Sequence, residues 1–260
     1  MTMLEVKHVS CKYDLDDVVR DVSFAMKEHE HICVLGINGC GKTTLLRAIA
    51  GILPYRGEIR VYNKALSKMK RKEAASHIAL MSQIPSIYFS YTVFETVMLG
   101  RYIHMPGGIL GPSKTDIEIV MECLETVGLT DLKDRPITGL SGGQLQRVFL
   151  ARTFAQNPRI ILLDEPTNHL DLKLQIELLD YLREWSSGEN RAVIGVLHDI
   201  NLALQFADKI LLMKDGEALS FETVEKTVRS GDLNLGYGIN VNAQMNTFYH
   251  RWEDLRAESN

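Results

Sequence analysis

Apolar residues fall into two rhythms along this chain. Short unbroken runs recur at Ile32–Leu35, Ile78–Met81, Ile160–Leu163, Ala192–Leu197 and Ile210–Met213. A run that short, with no charged position, predicts a strand buried on both faces. Leu4–Phe24 instead alternates apolar and polar residues in patches broken by the acidic turn Asp14 to Asp17. That pattern predicts two or three strands, some of them antiparallel. Pro54 and Gly57 mark a turn into a strand over Glu58–Tyr62, and Asp215-Gly216 marks a hairpin turn after Ile210–Met213.

The second rhythm is helical. Val93, Phe94, Val97 and Met98 share one helix face; Ile117, Val120, Met121, Leu124 and Val127 form another. Gly107-Gly108 and Gly111-Pro112 break the chain between them, within a stretch from Pro85 to Pro136 that reads as an inserted helical subdomain. Leu145, Val148 and Phe149 give a face to a helix that Ser141 can cap and Asn157-Pro158 stops. Ile176, Leu179, Leu182 and Trp185 do the same for a helix ending near Gly188. Phe221–Arg229 is expected to be a helix and Gly236–Val241 a strand, while Tyr249–Leu255 carries no assignable chemistry.

Chemistry enters at the ends of the apolar runs. Gly36-Ile37-Asn38-Gly39-Cys40-Gly41-Lys42-Thr43 fits G-x-x-x-x-G-K-[ST], follows the run Ile32–Leu35 and opens a helix from Lys42 to about Ile52. Glycines let backbone N–H groups curl around a phosphate, the lysine reaches the β- and γ-phosphates, and the threonine hydroxyl suits Mg²⁺. Asp164 and Glu165 emerge at the C-terminal end of their strand, where open α/β sheets place ligands. Ser141, Gly142 and Gly143 open a second helix whose N–H groups can face an anion. The loop pattern alone arises by chance in about one chain of this length in a hundred, and Leu140-Ser141-Gly142-Gly143-Gln144 in about a few per ten thousand. Both together, beside an Asp-Glu strand end, leave little room for coincidence.

On these residues the chain resembles the nucleotide-binding subunits of ABC transporters over nearly its whole length. The resemblance implies an α/β fold: a P-loop NTPase core with mixed sheet, an N-terminal antiparallel β-subdomain and an inserted helical subdomain. We divide the chain into a core of residues 1–84 and 158–230, a helical subdomain of 85–157 carrying the signature, and a tail of 231–260. LSGGQ looks like the family signature, Ile160–Glu165 like Walker B, Gln83 like the Q-loop glutamine, His198 like the switch histidine and Leu170-Asp171 like the D-loop. Tyr13 resembles the aromatic that stacks on adenine; an ordinary strand aromatic in the core is the alternative.

What the resemblance implies for the site follows residue by residue. ATP would be held by Tyr13, Gly36, Ile37, Asn38, Gly39, Cys40, Gly41, Lys42, Thr43 and Thr44. Mg²⁺ would be held by Thr43, Gln83 and Asp164, and catalysis carried by Glu165, His198, Gln83 and Lys42. Ser141, Gly142, Gly143, Gln144 and Asp171 would close over ATP on a second copy. Cys40 replaces a usual small residue and Ile37 a common proline. A helix start next to Cys40 favours a reactive thiolate, with a buried filler as the alternative. Three segments, TVFETVMLGR, TNHLDLKLQIELLDYL and LHDINLALQFADKI, look like the branch serving importers of iron-siderophore complexes, haem and vitamin B12.

Composition narrows the partners. A net charge of −4 over 260 residues argues against an extended nucleic-acid surface, and the basic stretch Ser67–Ser76 lacks interleaved aromatics, so it reads as a solvated face. Cys11, Cys33, Cys40 and Cys123 show no C-x-x-C or metal-like spacing and suit a reducing cytosol. The N-terminus carries acids without a long apolar core, unlike a signal peptide, and no apolar run approaches 18 residues. The expected place is therefore cytoplasmic, peripheral on the inner face of the cell membrane. The expected partners are a second copy or a homologous ATPase, membrane permease subunits that Tyr88, Phe89 and Tyr91 could contact, and, indirectly, an extracytoplasmic binding protein. A soluble ABC ATPase acting on ribosomes or DNA is the alternative, though the tandem cassettes, coiled coils or zinc modules usual there are absent. A P-loop kinase would leave LSGGQ unexplained.

Overall fold

The computed structural model describes residues 1–13, 16–82, 90–105, 111–168 and 170–257, with only the backbone of Tyr13. In chain order the elements are β1 (Thr2–Tyr13), β2 (Asp16–Lys27), β3 (His31–Leu35), α1 (Lys42–Ile49), β4 (Arg56–Val61), β5 (Lys64–Ala65), α2 (Arg71–His77) and β6 (Ile78–Met81). There follow α3 (Val93–Met98), α4 (Lys114–Thr126), α5 (Gly142–Ala155), β7 (Ile160–Asp164), α6 (Leu172–Ser186), β8 (Ala192–Val196) and α7 (Ile200–Phe206). The chain closes with β9 (Lys209–Lys214), β10 (Glu217–Thr223), α8 (Val224–Ser230), α9 (Asp232–Tyr237) and α10 (Val241–Ala257).

Two sheets organise these elements. One, β2-β1-β4-β5, is antiparallel; the other runs β10-β9-β3-β8-β7-β6, parallel except for the hairpin β9–β10. The unbroken apolar runs have the physical cause expected of them, because successive residues serve opposite faces. Ile32 and Val34 join a core shared with α1 and the antiparallel sheet, while Cys33 and Leu35 join a core shared with α3 to α7. In β7, Ile160 and Leu162 divide from Ile161 and Leu163 in the same way. Each buried aliphatic side chain contributes about 1.5–3 kcal/mol, so both faces hold the sheet that carries the site.

Capping decides where several helices begin. Thr92 with Glu95, Ser113 with Asp116, and Ser141 with Gln144 each close a reciprocal capping box at the starts of α3, α4 and α5. Asp215 and Gly216, both at positive φ, make the β9–β10 turn.

Four expectations need correction. The helix from Lys42 stops at Ile49, because Gly51 turns left-handed at φ 70°. Phe221 lies in β10, and the helix starts only at Val224, capped by Thr223. Gly236–Val241 is not a strand: it spans the end of α9, a turn at Gly238 and the start of α10. Ile117 and Ile176 lie 40% and 39% exposed, so the buried stripes of α4 and α6 are narrower than their apolar spacing suggests. Gly107 and Gly108 lie outside the described residues.

Candidate functional site

The loop after β3 is drawn in so tightly that side chains would not fit at Gly36 or Gly41. A Cβ on Gly36 (φ 146°) would stand 2.2 Å from the Met213 carbonyl oxygen and 2.8 Å from Cys40 Sγ. One on Gly41 (φ 98°) would stand 2.6 Å from the Val18 carbonyl oxygen. Gly41 also enters α1 without offering a side-chain cap, so the first-turn N–H groups are left for an anion. Lys42 is buried, and its Nζ donates to the carbonyl oxygens of Gly36 at 2.8 Å and Ile37 at 2.9 Å. A cleft of about 220 Å³ opens over the loop, lined by Val18, Asn38, Gly39, Gly41, Lys42, Thr43, Thr44 and Glu165. Val18, contributed by β2, carried no sequence signal beyond an ordinary strand valine.

Cys40 does not line this cleft. It is buried beneath the loop in the core shared with α1, and burial raises its thiol pKa against the lowering effect of Lys42. The structure therefore favours the inert filler over the reactive thiolate.

The acid pair divides between two environments. Asp164 is buried at the end of β7 and accepts a hydrogen bond from Thr43 Oγ1 at 2.7 Å. Burial pushes its pKa up, the Thr43 hydroxyl pulls it down, and the neighbouring Glu165 raises it further. Glu165 turns out of the strand at φ 56° and donates its N–H to the Val196 carbonyl oxygen at 3.2 Å. Its Oε1 meets His198 Nε2 at 2.8 Å, and its Oε2 accepts from Asn168 Nδ2 at 2.7 Å. Sequence reasoning assigns Asn168 no role; an amide three residues beyond the acid was the available clue.

The signature residues stand apart from that cleft. Ser141 Oγ accepts from the Gln144 N–H at 3.3 Å, and Gln144 Oε1 accepts from the Ser141 N–H at 3.0 Å, so both cap their own helix. Asp171 caps α6 through the Leu174 N–H at 3.0 Å, and Gly143 packs so closely on Leu174 that a Cβ would stand 2.4 Å from its Cδ1. Gln146, not singled out by sequence, is buried and donates to the Pro166 carbonyl oxygen at 2.6 Å, tying α5 to the residue after Glu165. Gln83, Tyr88 and Phe89 lie outside the described residues, as does the Tyr13 ring; Tyr91 is exposed.

These residues fit a nucleoside triphosphate: a cradle with no room for a side chain at Gly36 or Gly41, an uncapped helix start and a lysine poised on carbonyl oxygens. A hydroxyl and a carboxylate 2.7 Å apart also suit a hard, oxygen-seeking cation. Residues 19–168 match the ABC transporter family model. The chain belongs to the ABC transporter family. It is an ATP-binding, ATP-hydrolysing member. It is similar to the petrobactin import ATP-binding protein FpuD of Bacillus anthracis, 38% identical over 226 residues, covering 86% of this chain and 82% of FpuD. It is also 36% identical over 241 residues to YvrA, an ABC transporter ATP-binding protein of Bacillus subtilis (strain 168), where 92% of this chain covers about half (54%) of the relative. Among solved structures it resembles a metal-chelate type ABC transporter in an inward-facing conformation, with TM-score 0.80 and 31% identity over 91% of this chain and 89% of that one. Among the described residues, no helix of this ABC protein is long and apolar enough to cross a membrane.

Proposed function

We propose that this chain is the ATP-hydrolysing subunit of a membrane importer for an iron chelate (a siderophore complex), haem or cobalamin. The observation that carries the ATPase part is the gathering of Lys42, Thr43, Asp164 and the Glu165–His198 pair around one cleft. The names of FpuD and of the metal-chelate type transporter support the cargo class.

In this reading Lys42 leaves the loop carbonyls to meet the β- and γ-phosphates. Thr43 and Asp164 would hold Mg²⁺, with Gln83 added by resemblance; when bound, the ion neutralises phosphate charge. Glu165 orients one water and takes its proton, and His198, gripping the same carboxylate, faces the γ-phosphate. Phosphoryl transfer needs mostly positioning and charge stabilisation, and that is what fixed side chains supply.

The signature acts in trans. Ser141, Gly142, Gly143, Gln144 and Asp171 cap or begin helices outside the chain's own cleft, which suits contact with ATP on a second copy. Residues 85–157 then move as a helical unit against the core of 1–84 and 158–230. An importer subunit of this family works with membrane permease chains. A groove of about 500 Å³ lined by Ala50, Ile52, Arg71, Ala74, Leu80 and Gln156 suits a permease helix, with Ile52 largely exposed on it. Docking there would hold the chain at the inner face of the membrane, with the binding protein reached only through the permease.

Transport of iron-siderophore, haem and cobalamin by the native complex, with and without this subunit, tests the proposal. Uptake of one class should require the subunit and ATP. ATP hydrolysis without uptake of any of the three would overturn the cargo class and leave the ATPase assignment standing.

A further inference from the structure

Glu165 holds a left-handed backbone at φ 56°, which few residues other than glycine adopt unless their surroundings fix it. The turn that follows it is fixed from two helices. Gln146, on α5 just beyond the signature and only 6% exposed, donates from Nε2 to the Pro166 carbonyl oxygen at 2.6 Å. Gln175, near the start of α6, donates from Nε2 to the next carbonyl oxygen, that of the buried Thr167, at 3.1 Å. The two helices meet where Gly143 packs on Leu174. Asn168 closes the turn, its N–H reaching the Glu165 carbonyl oxygen at 3.4 Å while its amide holds the Glu165 carboxylate.

We infer that Gln146 is a positioning residue for the base, holding the turn after Glu165 from the signature helix. Proline has no N–H, so its carbonyl oxygen is the one polar group Pro166 offers a neighbour. Gln146 reaches that oxygen from a buried position, where losing the bond would strand a polar atom. Asn168 and His198 hold the Glu165 carboxylate itself, whereas Gln146 holds the backbone from which it projects. A misplacement of about 1 Å at a reacting group can cost roughly a hundredfold in rate. Gln146 does not line the cleft over the loop, so its loss should spare nucleotide binding and reduce turnover. This role rests on the reading of Glu165 as the base.

Gln146→Met keeps the length of the side chain and removes its donor. For ATP hydrolysis kcat should fall by roughly ten- to a hundredfold, with KM within about twofold. The unfolding midpoint should drop by about 2–4 °C, the cost of one stranded carbonyl. Combining the change with Glu165→Gln separates positioning from general loosening. A residue that acts through the base has nothing left to position, so the residual rate should move by less than about twofold. Gln146→Leu, of different shape, should repeat the pattern. In nucleotide-free Gln146→Met, amide exchange should quicken in residues 165–168 and stay unchanged in 192–195. A kcat within twofold of the natural chain would overturn the inference, as would an equal fall in both backgrounds. Normal hydrolysis by Glu165→Gln alone would instead strike the reading of Glu165 as the base. The exchange comparison judges the clamp without that reading: unchanged exchange in residues 165–168 would overturn it.

Discussion

His198 Nε2 lies 2.8 Å from Glu165 Oε1, and the sheet register is the reason. β7 and β8 run parallel with Asp164 opposite Val196, so residues just past each strand meet. Asn168 grips the other carboxylate oxygen at 2.7 Å. A carboxylate held at both oxygens has a fixed direction, which a base serving a single water requires.

Glu165→Gln should therefore separate binding from turnover. The amide keeps the shape and can still bond Asn168 and His198, but it cannot accept a proton from water. ATP should bind normally while hydrolysis falls by roughly a hundredfold or more. With ATP present the variant should persist as a dimer in light scattering. A normal hydrolysis rate would show that Glu165 has the wrong role.

Asp164→Asn should stabilise the fold as it disables the enzyme. Burial raises the Asp164 pKa, so keeping it charged at neutral pH costs the folded state free energy that a neutral amide avoids. The Thr43 hydroxyl can still donate to the amide oxygen. The nucleotide-free unfolding midpoint should rise by about 2–4 °C, and Mg²⁺-dependent hydrolysis should fall by about a hundredfold or more. A lower midpoint would contradict the burial argument.

The buried pair Arg101–Asp116 should behave in the opposite sense. Arg101 Nε donates to Asp116 Oδ1 at 2.9 Å and its Nη1 to the Ala155 carbonyl oxygen at 2.7 Å, joining the segment after α3 to α4 and α5. The Ser113 hydroxyl bond, with Arg101 adding to it, overcomes burial and lowers the Asp116 pKa from 3.8 to about 2. A depressed carboxyl pKa gives stability that is present above the unfolded value and lost as pH falls through about 2. Urea unfolding should show that acid limb in the natural chain and a flatter one in Asp116→Asn. Asp116→Ala strands the guanidinium and should cost about 3–5 kcal/mol. An unchanged acid limb in Asp116→Asn would remove Asp116 from the account.

Strands and turns were the most legible parts of the chain, because their signals are local. Ile78–Met81 forms β6 with the bounds its apolar run suggests, and Asp215-Gly216 makes the hairpin. The family motifs likewise located Lys42, Thr43, Asp164, Glu165 and His198, which the fold brings together. What the sequence hid depends on distant partners. Val18 lines the cleft only because β2 passes Gly41, and Gln146 matters only because α5 lies against Pro166. The strand expected over Gly236–Val241 fails for a reason that also lies in packing and backbone geometry. Gly236 makes room for Leu212, and Gly238 turns left-handed to end α9.

Mixing two damaged variants tests whether the signature serves another chain's nucleotide. Lys42→Ala removes the buried ammonium from the cradle, while Ser141→Arg puts bulk at an exposed helix start. The second change also removes the bond to the Gln144 N–H, a loss of about 1 kcal/mol that should leave the chain folded. In a pair of either variant alone, both composite sites carry a lesion. In a mixed pair both lesions fall on one site, where the altered cradle faces the altered signature. The other site then joins an intact cradle to an intact signature, and mixing should restore ATP-dependent association there. Hydrolysis should return in part, to an extent set by coupling between the sites. If the signature instead served its own chain, each site in the mixture would keep one lesion and mixing would restore nothing. Differently tagged chains, purified as mixed pairs and followed by nucleotide-dependent association, give the decisive reading. Full activity of Ser141→Arg as a dilute monomer would end the composite-site account, because the bulky side chain would then stand at a surface that ATP closure never uses.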